Sequence, residues 1–274
     1  MAEIEVPNSF LTFRQGRVNA RKEARKQLII RNNLEKRFYK RLNTLFRKFL
    51  NVQLYLYKEF GIYDPTIAAR ALNEDFVPLM LSHYRRVFQA MYKNNEDNYF
   101  NNKKEEAYVF GRSEDFETVV NEYFNSRQLI LAGISNRMAT RISNLIEAGR
   151  AEGLTLPQIA KQVQTKFLAI SRSRAALIAR TETHNAAGYS NHAYHLTAQA
   201  NLGNSMKKRW VATNDKRTRS AHSLANGQTV DMNENFVVGG TNMEFAGDAK
   251  GGVKNVINCR CIIIYTDEAD VVSD

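Results

Sequence analysis

Both cysteines of this 274-residue chain lie one residue apart, in Ile257-Asn258-Cys259-Arg260-Cys261. If the stretch is extended, their side chains share a face with Cα atoms about 6.5 Å apart. That spacing is at the upper edge of disulfide geometry. Two cysteines are too few for a secreted scaffold, and "MAEIEVPNSF" shows no signal peptide, so the expectation is a soluble protein made in a reducing cytosol, where a bridge is the poorest choice. Two thiolates on one face can instead chelate zinc if the backbone curls, with two further ligands from elsewhere. His222 is the best third ligand, and Asp215, His184 or a water the fourth. The competing reading makes both cysteines small buried hydrophobes. C-x-C alone does not decide between them.

Two other stretches gather polar side chains. "ARTETHNAAGYSNH" carries Arg180, Glu182, His184, Asn185 and Asn191 on an otherwise small and apolar helix, and "NDKRTRSAH" carries Asp215, Arg217, Arg219 and His222. Asp215 suits a helix N-cap, with His222 two turns on. An enzyme would use Glu182 or Asp215 as acid/base with His222 as partner. A structural network would instead pair Glu182 with Arg180, Arg217 or Arg219, with Asn258 nearby, and this is the favoured reading because such networks need no substrate. Phosphate-loop, G-x-G-x-x-G, H-E-x-x-H and G-x-S-x-G patterns do not occur in the sequence, so no enzyme is expected. Trp210, the only tryptophan, is either a stacking platform for bases or, preferably, core.

The elements that must position these groups read as follows. Residues 1–15 look like an extended arm. Leu34, Phe38, Leu42, Leu45, Phe49, Val52 and Leu56 make one apolar stripe on a long basic helix. Gly61 ends it, and Asp64-Pro65 start a second helix that Pro78 should kink or split. Lys93–Glu106 is Asn-rich and reads as a loop. A third helix follows from about Glu114. Thr155 and Gln158 form a capping box before a short helix, and a separate Ala-rich helix runs from Arg172 to about Asn201. Beyond Leu202 lie half of the 14 glycines, the alternating "KKRWVAT", the hairpin signal Asn226-Gly227 and the β-type run "INCRCIIIYT". The fold class is therefore α+β and mostly helical: long N-terminal helices, then a small α+β module with a short antiparallel sheet. The expected organisation is an arm (1–15), a helical domain with a basic first helix (16–168) and a C-terminal module (169–274).

Charge sharpens the first helix. The chain carries +11, and residues 11–50 alone hold 13 Lys/Arg against 2 Asp/Glu, leaving the rest neutral on balance. Arg37, Lys40, Arg41 and Lys48 are candidate contacts to a phosphate backbone or an acidic protein, against the plainer reading of a solvated face. The longest apolar runs are far too short to span a bilayer.

The order of motifs resembles the phage Mu protein F-like family of head morphogenesis (minor head) proteins. The matching positions are Arg180-Thr181-Glu182, Trp210, Asp215, Arg217-Thr218-Arg219, His222, Asn226-Gly227-Gln228 and Asn258-Cys259-Arg260-Cys261, within about residues 170–266. One departure is the loop "FAGDAKGGVKN", which lacks the proline usual in the family. The resemblance implies a structural virion protein of a tailed bacteriophage, at the portal vertex or capsid interior and in the host bacterial cytoplasm during assembly. Its implied partners are the portal protein, the major capsid or scaffolding protein and packaged double-stranded DNA, with a part in head assembly and DNA packaging or ejection. No membrane and no small-molecule substrate are implied. Other readings are a metal-dependent or ADP-ribosyltransferase-like enzyme using Glu182 and His222, or an internal DNA-binding protein acting through residues 11–50. The resemblance also adds weight to a site at Asp215, His222, Cys259 and Cys261, either a structural zinc knot or a buried polar network.

Overall fold

A computed structural model of the chain describes residues 18–99, 114–202, 205–267 and 272–273. The elements run β1 (Val18–Asn19), α1 (Ala20–Phe60), α2 (Pro65–Tyr99), α3 (Glu114–Ala151), α4 (Leu156–Leu202), β2 (Met206–Val211), α5 (Ser220–Leu224), β3 (Thr229–Asp231), β4 (Phe236–Val238), β5 (Thr241–Met243), a 3-10 turn (Ala249–Gly251), α6 (Gly252–Val256), β6 (Ile262–Asp267) and β7 (Val272–Ser273). This is the expected α+β, mostly helical class. The arm at 1–15 lies outside the described residues.

The chain packs as two compact units, each assembled from separate segments: the described residues of 1–32, 87–119 and 184–274 form unit 1, and those of 33–86 and 120–183 form unit 2. All four long helices contribute to both, and the expected boundary after residue 168 falls within α4.

Unit 2 is helical. Its core takes Phe38, Leu42, Phe46, Leu50, Leu54 and Tyr57 from α1, Leu72, Phe76, Met80 and Tyr84 from α2, Leu131, Met138 and Ile142 from α3, and Ile159, Val163 and Phe167 from α4. The stripe on α1 thus departs from expectation, because Val52 and Leu56 are exposed. A strict seven-residue spacing drifts by about 20° per heptad around a straight helix, so burial passes to Leu50, Leu54 and Tyr57. Asp64 caps α2 as expected, its Oδ1 accepting from the N–H groups of Thr66 (2.7 Å) and Ile67 (3.1 Å). Pro78 does not split α2, which runs through it. The capping box also forms: the Thr155 N–H donates to Gln158 Oε1 at 2.8 Å. The two helices expected beyond it are one, α4, since nothing between Gln158 and Ala187 breaks a helix.

Unit 1 holds the sheet, in the order β3-β2-β6 and antiparallel throughout, with Trp210 opposite Ile263. Gly227, at φ 83°, makes the turn into β3, and its N–H donates to the Trp210 carbonyl at 2.8 Å. Both sheet faces are covered. Trp210, Ile263 and Tyr265 enter the main core with Phe236 and Met243, while Ile262 and Ile264 pack on Ala20 and Ala24 of α1. Two-sided burial explains the unbroken apolar run of "CIIIY". The Asn-rich stretch is a correction to the loop reading: Lys93–Tyr99 is the last part of α2, and the rest lies outside the described residues. Asn94 and Asn95 are buried and donate to Glu23 (3.0 Å) and Asn191 (3.2 Å), so these side chains serve a polar core contact instead of a turn.

Candidate metal centre

The segment carrying both cysteines does not run straight into β6. Asn258 takes φ 57° and the Cys259 N–H donates to the Val256 carbonyl at 3.2 Å, so the backbone curls before the strand begins at Ile262. Three side chains clamp the curl by its carbonyls. Arg219 Nη2 donates to Ile257 O, Thr213 Oγ1 to Arg260 O at 3.1 Å, and Arg31 Nη1 to Cys261 O at 3.4 Å. Arg219, expected in a network with Glu182, acts here instead.

His222, from the short helix α5, aims its Nδ1 at both thiols, 3.3 Å from Cys261 Sγ and 3.7 Å from Cys259 Sγ. The three residues are buried and their ligand atoms lie within 4.8 Å of one another. Zinc bound at about 2.05 Å to nitrogen and 2.3 Å to sulfur at a tetrahedral angle puts those two ligands about 3.6 Å apart, so the observed spacings fit. Both cysteines are free thiols. A hydrogen bond from Cys261, with His222 beside it, holds the Cys259 thiol well below its ordinary range, whereas hydrogen bonding to Cys259 and burial raise Cys261.

Asp215 does not join this group. Arg260 grips its carboxylate with two bonds of 2.6 Å, and its Oδ1 also accepts from the Arg217 N–H at 3.0 Å. Those hydrogen bonds, Arg260 first, hold Asp215 well below the usual carboxylate range. It therefore stabilises a turn, and the residue at the N-cap of α5 is Arg219. Among the described residues His184 is not part of the group either.

Glu182 belongs to unit 2, and both of its oxygens are engaged there. Arg127 donates to Oε1 at 2.6 Å and to Oε2 at 3.2 Å, and the Tyr84 hydroxyl donates to Oε2 at 2.6 Å. The expected partners are thereby corrected: Arg180 pairs with Glu35 (3.2 Å) and Arg217 with Asp215 (3.8 Å). Arg37 and Lys40 are exposed, Arg41 is half-buried, and Lys48 is tied to Asp75 at 3.0 Å.

Three participants escaped the sequence reading. Arg31 counts among the basic residues of α1 but is 1% exposed, and burial lowers its pKa to about 10. Its signal was the stripe Ala20, Ala24, Gln27 and Arg31 on one helical face. Arg127 had no signal, lying 55 residues from its partner. Gly188 explains "NAAG": a Cβ there would collide with the Ala246 carbonyl, so glycine lets α4 touch the loop before the cysteines.

Comparison with known proteins points to one family. The family described as "Phage Mu protein F like protein" matches residues 140–264, which include every residue of the centre except Arg31. Those residues thus carry the pattern of that family. It is 30% identical over 211 residues to the minor head protein GP7 of Bacillus phage SPP1, covering 69% of this chain and 65% of that protein. It is 33% identical over 130 residues to the NAD(+)–arginine ADP-ribosyltransferase EFV of Enterococcus faecalis, covering 47% of this chain and 26% of that one. The chain thus spans just under two thirds of one relative and about a quarter of the other. No solved structure matches it significantly. Among the described residues no helix is long and apolar enough to cross a membrane.

Proposed function

We propose that the chain is a structural minor head protein of a tailed bacteriophage, seated at the portal vertex or on the capsid interior and acting in head morphogenesis. The similarity to the SPP1 minor head protein carries this reading, because it runs over 211 residues and so extends well beyond the family-matched segment. In this reading residues 169–274 are the module that meets the portal or capsid, and the basic helix α1 faces packaged DNA during packaging or ejection.

His222, Cys259 and Cys261 hold a structural zinc ion in the same reading, with water as fourth ligand. The ion would cross-link two chain segments, α5 and the stretch that carries both cysteines. The donor spacing and the soft donor set favour it. An enzymatic role finds less support, since the oxygens of Glu182 are already engaged by Arg127 and Tyr84 in a buried site. The similarity to the transferase covers only 26% of that protein.

The test is co-expression of the tagged chain with the portal, scaffolding and major capsid proteins of its phage, followed by purification of assembled heads. Low-copy incorporation that depends on the portal is expected. Recovery of the chain only as free protein would overturn the reading.

A further inference from the structure

Between Glu35 and Glu59, α1 carries seven Lys/Arg and no acidic residue. Between Asp75 and Glu96, α2 carries none either. Within unit 2 the two helices lie antiparallel. Phe46 meets Phe76 (6.2 Å between centroids), Lys48 bonds Asp75, and Phe38 stacks on His83 at 3.7 Å. That register brings the turn containing Arg37, Lys40 and Arg41 beside the one containing Arg86. Arg37, Lys40 and Arg86 are exposed. No carboxylate pairs with any of these four among the described residues.

We infer that Arg37, Lys40 and Arg41 of α1, with Arg86 of α2, form a binding site for the phosphate backbone of duplex DNA. Like charges held together without an intervening carboxylate are relieved by an anion. Arg41 registers the crowding: burial first, then the neighbouring Arg86, lower its pKa. The composition of the face selects nucleic acid over an acidic protein. Its exposed residues from Asn33 to Lys48 are polar or cationic, and the exposed apolar side chains of α1 lie on either side of that stretch, at Ile29 and from Val52 onward. A protein interface needs apolar or aromatic anchors at its centre, whereas a DNA interface is polar and strongly positive. With no base-reading element in the patch, binding is indifferent to sequence. The inference deepens the head-protein reading by giving the DNA contact its residues, and it rests on that reading only for where the DNA is met.

The test uses the full-length protein and a fluorescent duplex of about 30 base pairs, with anisotropy read between about 50 and about 200 mM salt. The log–log salt slope is expected near −3.6, about 0.9 for each of four phosphate contacts. The triple variant Arg37→Gln/Lys40→Gln/Arg86→Gln should bind at least about tenfold more weakly at low salt, with the slope reduced by about 2.7. Lys161→Gln/Lys166→Gln/Arg174→Gln removes the same charge from exposed positions on α4 and should change affinity less than about twofold. Equal losses in both triples, or no binding by wild type at low salt, would overturn the site. Unchanged DNA affinity with loss of a captured acidic protein would overturn it in favour of a protein partner. Head incorporation is scored separately, so failure of the wild type to enter heads would sink the head-protein reading and leave the DNA measurement standing.

Discussion

Glu182 and His222 are both 2% exposed and both sit in the motifs that carry chemistry, but their surroundings differ. In unit 2, Glu182 has both oxygens filled by Arg127 and Tyr84. In unit 1, His222 points Nδ1 at two sulfurs, and its buried Nε2 has no hydrogen-bond partner among the described residues. A closed charge pair needs nothing more and fixes helices to one another. A cluster of soft donors facing a common point has coordination to offer. Burial and motif membership do not separate architecture from a ligand site; the state of the lone pairs does.

The sharpest break of this contrast is Glu182→Ala. It strands the Arg127 guanidinium in a buried site, and denaturant unfolding should show a loss of about 3–5 kcal/mol. A loss below about 1 kcal/mol would mean that the network is not architectural. Next is the centre itself. Zinc at about 100 times its Kd should raise stability by about 2.7 kcal/mol, a chelator should remove the gain, and Cys261→Ser should abolish it. The Gly188→Ala change tests whether α4 and the loop before the cysteines are in tight contact; overpacking there should cost about 1–3 kcal/mol by thermal unfolding.

Acid touches both units. Burial, foremost, lowers His83 in unit 2 to about 3, and His192 and His195 in unit 1 to about 4 and about 3. Each binds fewer protons folded than unfolded. Their contribution is therefore intact above the ordinary histidine pKa of about 6.5 and falls as pH drops towards the folded values. Stability should decline by about 1.4 kcal/mol per pH unit for each histidine between about pH 6 and 4. His83→Gln, which can keep the hydrogen bond to Thr183, should flatten that slope by one such share.

The centre was legible because its members sit at fixed, short spacings: C-x-C, and His222 at the end of a recognisable run. Asp215 was misassigned because sequence cannot say whether a carboxylate meets a metal or a cation. Here Arg260, interleaved between the cysteines, takes it. The Glu182–Arg127 pair was hidden because apolar periodicity reports which face of α3 is buried, not which polar side chain crosses to α4. Lys93–Tyr99 was misread for a similar reason. Asparagine favours turns locally, but the groups that satisfy Asn94 and Asn95 lie in distant segments. The class of the fold needed only periodicity and turn residues, which are local, and these were sufficient.

The contrast between the two units is tested most directly by elemental analysis of the full-length protein purified without chelator, beside the Cys259→Ser/Cys261→Ser and Glu182→Gln variants. One zinc ion per chain is predicted in the wild type and in Glu182→Gln, with none in the double serine variant. A metal-free wild type whose two thiols react freely once unfolded would contradict it.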